Sequence, residues 1–112
     1  MPIFSKRGNP RSARMSRRMK QIQAKRITVY GRVQGVGFRY FVEHVATRLG
    51  LTGNVRNCPD STVEIVAEGS AKAIADLIEQ VKQGPRLARV ERVVAADIPA
   101  EGAYGSFSIE GW

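Results

Sequence analysis

Between residues 27 and 30 the chain alternates, with Ile27 and Val29 set against Thr28 and Tyr30, and this period of two predicts a half-buried strand that ends at Gly31. The pattern then changes period. Phe41, Val42, Val45, Ala46 and Leu49 recur at helical spacing, and Gly50 stands where a helix C-terminus favours glycine. Leu51, Gly53 and Val55 alternate with Thr52, Asn54 and Arg56, and Val63, Ile65 and Ala67 do the same further on. The intervening NCPDS contains a Pro-Asp pair suited to a turn, so these two strands form a hairpin. Ser70 is placed to cap a second helix whose stripe is Ile74, Leu77, Ile78 and Val81, and Gly84-Pro85 ends it. A fourth strand falls within Leu87 to Ile98, and Phe107 with Ile109 predict a short fifth.

The order strand, helix, strand, strand, helix, strand defines an α+β domain. Two helices are expected on one face of an antiparallel sheet, the split β-α-β-β-α-β sandwich termed ferredoxin-like, with the short fifth strand added. Such a fold says little about function.

Charge separates the chain into two parts. Of its 18 Lys and Arg, nine lie within residues 1–26, where there is no Asp or Glu, leaving nine basic against ten acidic residues in 27–112. The net charge of +8 therefore belongs to the N-terminal stretch, while the rest stands at −1. Residues 1–24, with two prolines and no sustained period, are expected to be a disordered basic extension. Residues 25–112 are expected to form the domain. No apolar run approaches the length of a membrane span. The single cysteine, Cys58, excludes an internal disulfide and a cysteine-based metal cage, which points to a reducing compartment and hence to the cytoplasm.

The candidate chemistry lies in VYGRVQGVGFRYF, residues 29–41, where glycines at 31, 35 and 37 and an arginine at 39 join the first strand to the first helix. Backbone N–H groups in such a loop, together with a helix N-terminus, form a concavity that favours an anion. Arg39, on the first turn of that helix, offers a planar fork of donors matched to phosphate. The bland alternative is a glycine-rich turn beside a solvated arginine. Two phosphate signatures are absent: no Gly-Lys is followed by Ser or Thr, and Tyr40 stands where a dinucleotide fingerprint requires glycine.

GRVQGVGFR at 31–39, followed by GNVRN at 53–57, resembles the acylphosphatase family signature. The similarity extends over about residues 25–110, taking in GPRLARVERV and the closing YGSFSI, and leaves out the basic extension. The resemblance implies a metal-free and cofactor-free hydrolase of acyl phosphates, R–CO–O–PO₃²⁻, yielding a carboxylate and inorganic phosphate. It assigns phosphate binding to Arg39 and to the backbone of Gln34, Gly35, Val36, Gly37 and Phe38, and it assigns orientation of the attacking water to Asn57. A carboxylate leaves with little need of protonation, so the lack of an evident general acid is no obstacle. Loose phosphoryl-transfer transition states mainly require positioning and charge stabilisation. A small-molecule acyl phosphate is the expected partner and a monomer the expected state. Family domains also open larger hydrogenase-maturation carbamoyltransferases, but these continue into cysteine-rich segments, and the free-standing enzyme is the expectation here. Ser61 departs from the pattern, where glycine is frequent; a positive φ there would strain the hairpin beside Asn57.

The alternative from another class is a nucleic-acid-binding module, since RNA-recognition domains share this element order and the N-terminal stretch suits contact with nucleic acid or an anionic surface. TVEIVAEG at 62–69 lacks the aromatics on which such domains stack bases. His44 is read as a helix-surface or partly buried histidine and Cys58 as incidental. Asp60 and Glu64 are read as solvated hairpin groups.

Overall fold

The computed structural model describes residues 22–111. Five strands and two helices follow one another as β1 (Ile22–Arg32), α1 (Phe38–Arg48), β2 (Thr52–Asn57), β3 (Val63–Ser70), α2 (Ala71–Gln83), β4 (Arg89–Ile98) and β5 (Phe107–Glu110). The sheet order is β4-β1-β3-β2-β5. The three pairings among β1 to β4 are antiparallel, as expected for this α+β, ferredoxin-like arrangement. β5 differs: it lies parallel to β2, with Gly53 opposite Phe107 and Arg56 opposite Glu110, so the sheet is mixed. A parallel neighbour requires a long return path, which the chain from β2 through β3, α2 and β4 supplies.

One face of the sheet carries the core. Ile27 and Val29 of β1, Val55 of β2 and Val63 and Ile65 of β3 are fully buried against Phe38, Val42 and Val45 of α1 and Ile74, Leu77 and Val81 of α2. Period-two alternation on the strands thus meets period-3.6 stripes on the helices. Ser70 caps α2 by accepting from the Ala73 N–H at 3.1 Å. α1 ends in a Schellman arrangement: Gly50 takes φ 76, its N–H reaches the Thr47 carbonyl, and the Leu51 N–H reaches that of Ala46.

The domain boundary expected at residue 25 falls inside β1, which begins at Ile22. Ala24 is buried, paired with Glu68 on one side and Ile98 on the other, so two neighbouring strands hold its place. The basic stretch that precedes this strand lies outside the described residues. No helix among the described residues is long and apolar enough to cross a membrane.

The other face of the sheet is polar. Glu64 bridges Arg26 and Arg56, at 3.4 and 2.8 Å, and Arg92 lies over the Tyr30 ring at 4.0 Å. Glu68 is the buried carboxylate of that face, and it accepts the N–H groups of Glu101 and Gly102, both at 3.1 Å. Those bonds hold down the connection that carries the chain from one sheet edge, β4, to the other, β5.

Candidate active site

The glycine loop fills residues 33–37, between the end of β1 and the start of α1. Gly35 and Gly37 have φ 73 and φ 77, the left-handed region. A Cβ on either would meet nothing within 4 Å, so glycine is needed here for backbone conformation and not for space. Gly37 is also the N-cap of α1, and no side chain caps that terminus. The first turn of the helix, which holds Phe38, Arg39 and Tyr40, therefore turns its N–H end toward the loop without a side-chain oxygen in between.

Arg39 projects from this first turn, and its Nη1 donates to the Glu110 carbonyl at 3.2 Å. Phe38 is buried and its ring lies 6.1 Å from that of Phe41, which anchors the turn in the core. Asn57 is the last residue of β2, opposite Val63 of β3, where the hairpin leaves the sheet. On β2 it shares the helix-facing side with Val55 and Gly53.

These elements meet at one depression of about 90 Å³, lined by Val33, Gly35, Gly37, Phe38, Arg39, Tyr40 and Asn57. A water occupies about 30 Å³ of liquid, so the depression suits a group of a few heavy atoms, well below the several hundred cubic ångströms of drug-sized ligand sites. A smaller recess, bounded by Arg39, Asn57, Glu110 and Gly111, adjoins it and shares Arg39 and Asn57. A larger depression, about 250 Å³, lies at the far end of β1 among Ile22, Gln23, Ala24, Asp97, Ile98 and Ala100 and offers no basic side chain. The phosphate-sized one matches the chemistry better.

Of the seven residues singled out in the sequence, Gly35, Gly37, Phe38, Arg39 and Asn57 line this one depression. Gln34 and Val36 do not. Val36 is partly buried against the core. The Gln34 amide turns to the hairpin after Asn57, where Nε2 donates to the carbonyls of Cys58 and Thr62, both at 2.9 Å. Sequence reasoning missed that side chain, along with Tyr40, 73% exposed at the rim, and the Glu110 carbonyl. Tyr40 was discoverable from its place beside Arg39; the Glu110 carbonyl was not, because β5 pairing is non-local.

The hairpin that carries Asn57 is a tight turn. The Ser61 N–H reaches the Cys58 carbonyl at 3.1 Å and the Cys58 N–H that of Thr62 at 2.9 Å. Ser61 has φ 77, the strained conformation anticipated at this position, and it is the non-glycine positive φ of the described residues. Asp60 fastens the same corner by accepting the Thr62 hydroxyl at 2.6 Å and the Thr62 N–H at 3.1 Å, and these bonds hold its carboxyl below the usual carboxylate range. Glu64 belongs to the Arg26 and Arg56 network, which keeps Arg56 charged more firmly still. His44 is exposed on α1 and Cys58 is a free, half-buried thiol. Among the described residues no three His, Cys, Asp or Glu side chains group as a metal site.

The acylphosphatase family model matches residues 25–109. An acylphosphatase of Koribacter versatilis is 49% identical over 89 residues, covering 80% of this chain and 81% of the relative. Among solved structures, the acylphosphatase from Bacillus subtilis superposes with a TM-score of 0.77 at 40% identity, covering 80% of this chain and 99% of that one. The acylphosphatase from Coxiella burnetii gives a TM-score of 0.81 at 38% identity, covering 86% of this chain and all of that one. Fold and sequence thus agree on a small α+β hydrolase. The chain belongs to the acylphosphatase family. The nucleic-acid-binding alternative finds no support in these similarities.

Proposed function

We propose that the chain hydrolyses acyl phosphates at the depression between the glycine loop and Asn57. The observation that carries this reading is the convergence, on one phosphate-sized concavity, of Arg39, two left-handed glycines, an uncapped helix N-terminus and the Asn57 carboxamide. Family membership supplies the reaction class, and the place of Arg39 and Asn57 at one depression supports the division of labour that follows.

Arg39 and the loop N–H groups from Gln34 to Phe38 bind the phosphoryl oxygens of the acyl phosphate. They also offset the charge that spreads over those oxygens as the bond to the acyl oxygen lengthens. The Asn57 amide oxygen accepts a hydrogen bond from water and aims the water oxygen at phosphorus. The new P–O bond forms as the bond to the acyl oxygen breaks, the electron pair leaving on the carboxylate. The water proton passes to a phosphoryl oxygen. Resonance in the departing carboxylate makes protonation of the leaving group unnecessary, so Arg39, Asn57 and the N–H cradle suffice, with neither metal nor cofactor in the scheme. We take the domain that begins with β1 at Ile22 as the catalytic unit, acting as a monomer, and place it in the cytoplasm on the strength of one free cysteine.

The test is hydrolysis of benzoyl phosphate in the presence of EDTA, with p-nitrophenyl phosphate as a monoester control. EDTA-resistant turnover confined to the acyl phosphate is expected. A folded protein without such turnover, or one equally active on the monoester, contradicts the reading.

A further inference from the structure

Gln34 sits in the phosphate loop, immediately before Gly35, yet its side chain serves the opposite wall of the site. Its carboxamide spans 24 residues to the Cys58 carbonyl and 28 to the Thr62 carbonyl, at 2.9 Å each, in a half-buried setting. Both acceptors are carbonyl oxygens, so the group facing them is the NH₂, with its two N–H donors divided between them. Each carbonyl already accepts a backbone N–H within the turn, from Ser61 and from Cys58 respectively. The glutamine adds a second bond to both.

The turn it holds begins one residue after Asn57 and contains Ser61 at φ 77. A non-glycine residue in that conformation is strained, so the corner persists only where its surroundings over-determine it. The internal ties at Asp60 fix the shape of the turn but not its position relative to the phosphate loop. The sheet register holds Asn57 to Val63 and Val63 to Val29 of β1, and beyond the sheet the Gln34 amide spans from the loop that cradles phosphate to the corner that follows Asn57.

We propose that Gln34 is a positioning residue whose amide sets the distance between the phosphate cradle and Asn57, and with it the line of attack of the water. This rests on the assignment of Asn57 as the residue that orients water. Displacement of a reacting group by about 1 Å costs on the order of a hundredfold in rate, which is the scale on which such a strut acts.

The experiment is a double-mutant cycle on benzoyl phosphate turnover, with the inhibition constant of inorganic phosphate measured in every variant and folding checked by urea denaturation. The expected result for Gln34→Ala is a fall in kcat of about ten- to a hundredfold, with phosphate inhibition held within about threefold. In the Asn57→Ala background, where nothing remains to be positioned, the same substitution changes kcat by less than about threefold. Gln34→Met, which keeps the length and lacks the donors, is expected to reproduce Gln34→Ala and serves in its place should the alanine variant not fold. Parental kcat in a folded Gln34 variant overturns the proposal. So does a fall of equal size in both backgrounds, or a loss of phosphate inhibition in step with kcat, which would make the amide a general support of the loop. Parental kcat in Asn57→Ala alone overturns instead the water-orienting role on which the proposal stands.

Discussion

The guanidinium of Arg39 donates to the main-chain carbonyl of Glu110 at 3.2 Å, tying the first turn of α1 to the end of β5 across 71 residues of sequence. The last strand thereby orients the side chain to which the proposed function assigns phosphate binding. β5 is held in turn by the buried Phe107 ring and by the Gly53 N–H donating to the Ser106 carbonyl at 3.1 Å. Phe107→Ala should lower stability by about 3 kcal/mol as its cavity opens. It should also weaken inhibition by inorganic phosphate about tenfold at a temperature where the variant stays folded, since the bond to a charged donor is worth about that much. Urea denaturation and phosphate inhibition check the two parts. Unchanged phosphate affinity in the folded variant would show that Arg39 is aimed without β5.

Gly37 has φ 77 and open space where a Cβ would go. Gly37→Ala is therefore expected to destabilise by about 1–2 kcal/mol through backbone strain alone. Gly37→Asn should cost less, because asparagine tolerates the left-handed region. Urea midpoints for the two variants make the comparison, and an alanine variant as stable as the parent would refute the strain argument.

Ser61 presents the reverse case. Ser61→Gly relieves about 1–2 kcal/mol of left-handed strain and gives back roughly 0.5–1 kcal/mol in unfolded-chain entropy. A net gain of roughly 0.5–1 kcal/mol is expected by chemical denaturation. A loss of stability would mean that the serine side chain contributes something its conformation conceals.

Hydrogen bonds from the Thr62 hydroxyl and N–H favour the charged form of Asp60 and depress its pKa in the folded protein. A depressed carboxylate adds stability that is present above its unfolded value, about 3.9, and that is lost as pH falls through the folded value. Asp60→Asn, which cannot titrate, should therefore be less stable than the parent at about pH 6, with the difference closing below about pH 4. Denaturation midpoints across that range provide the measurement, and a difference independent of pH would count against the linkage.

Much of this architecture was legible in the sequence because it is written in local periods and local caps. Ile27 and Val29 alternate, the α2 stripe runs from Ile74 to Val81, Ser70 caps and Gly50 stops, and each lies where its pattern placed it. The glycine loop was legible through its composition, and the structure seats Arg39 and Asn57 at one depression. What escaped depends on distant partners. The alternation of Ile22, Gln23, Ala24 and Lys25 is short and is broken at Arg26, and these residues join β1 through their pairing with β3, with β4 flanking the strand only from Ala24 onward. The parallel pairing of β5 with β2 follows from where the β4 to β5 connection crosses the sheet, under the hold of Glu68. Gln34 is one polar residue among glycines, and nothing in its neighbours announces that its amide reaches a turn 24 residues away.

The central claim is a division of labour, with Arg39 binding phosphate and Asn57 aiming water. Its most direct test is to measure, in Arg39→Gln and Asn57→Ala, both kcat for benzoyl phosphate and the inhibition constant of inorganic phosphate. Arg39→Gln should lose phosphate inhibition together with about a hundredfold or more of turnover. Asn57→Ala should lose turnover by about a hundredfold while phosphate inhibition stays near the parental value. Parental turnover in either folded variant, or a loss of phosphate inhibition in Asn57→Ala equal to that in Arg39→Gln, would contradict the account.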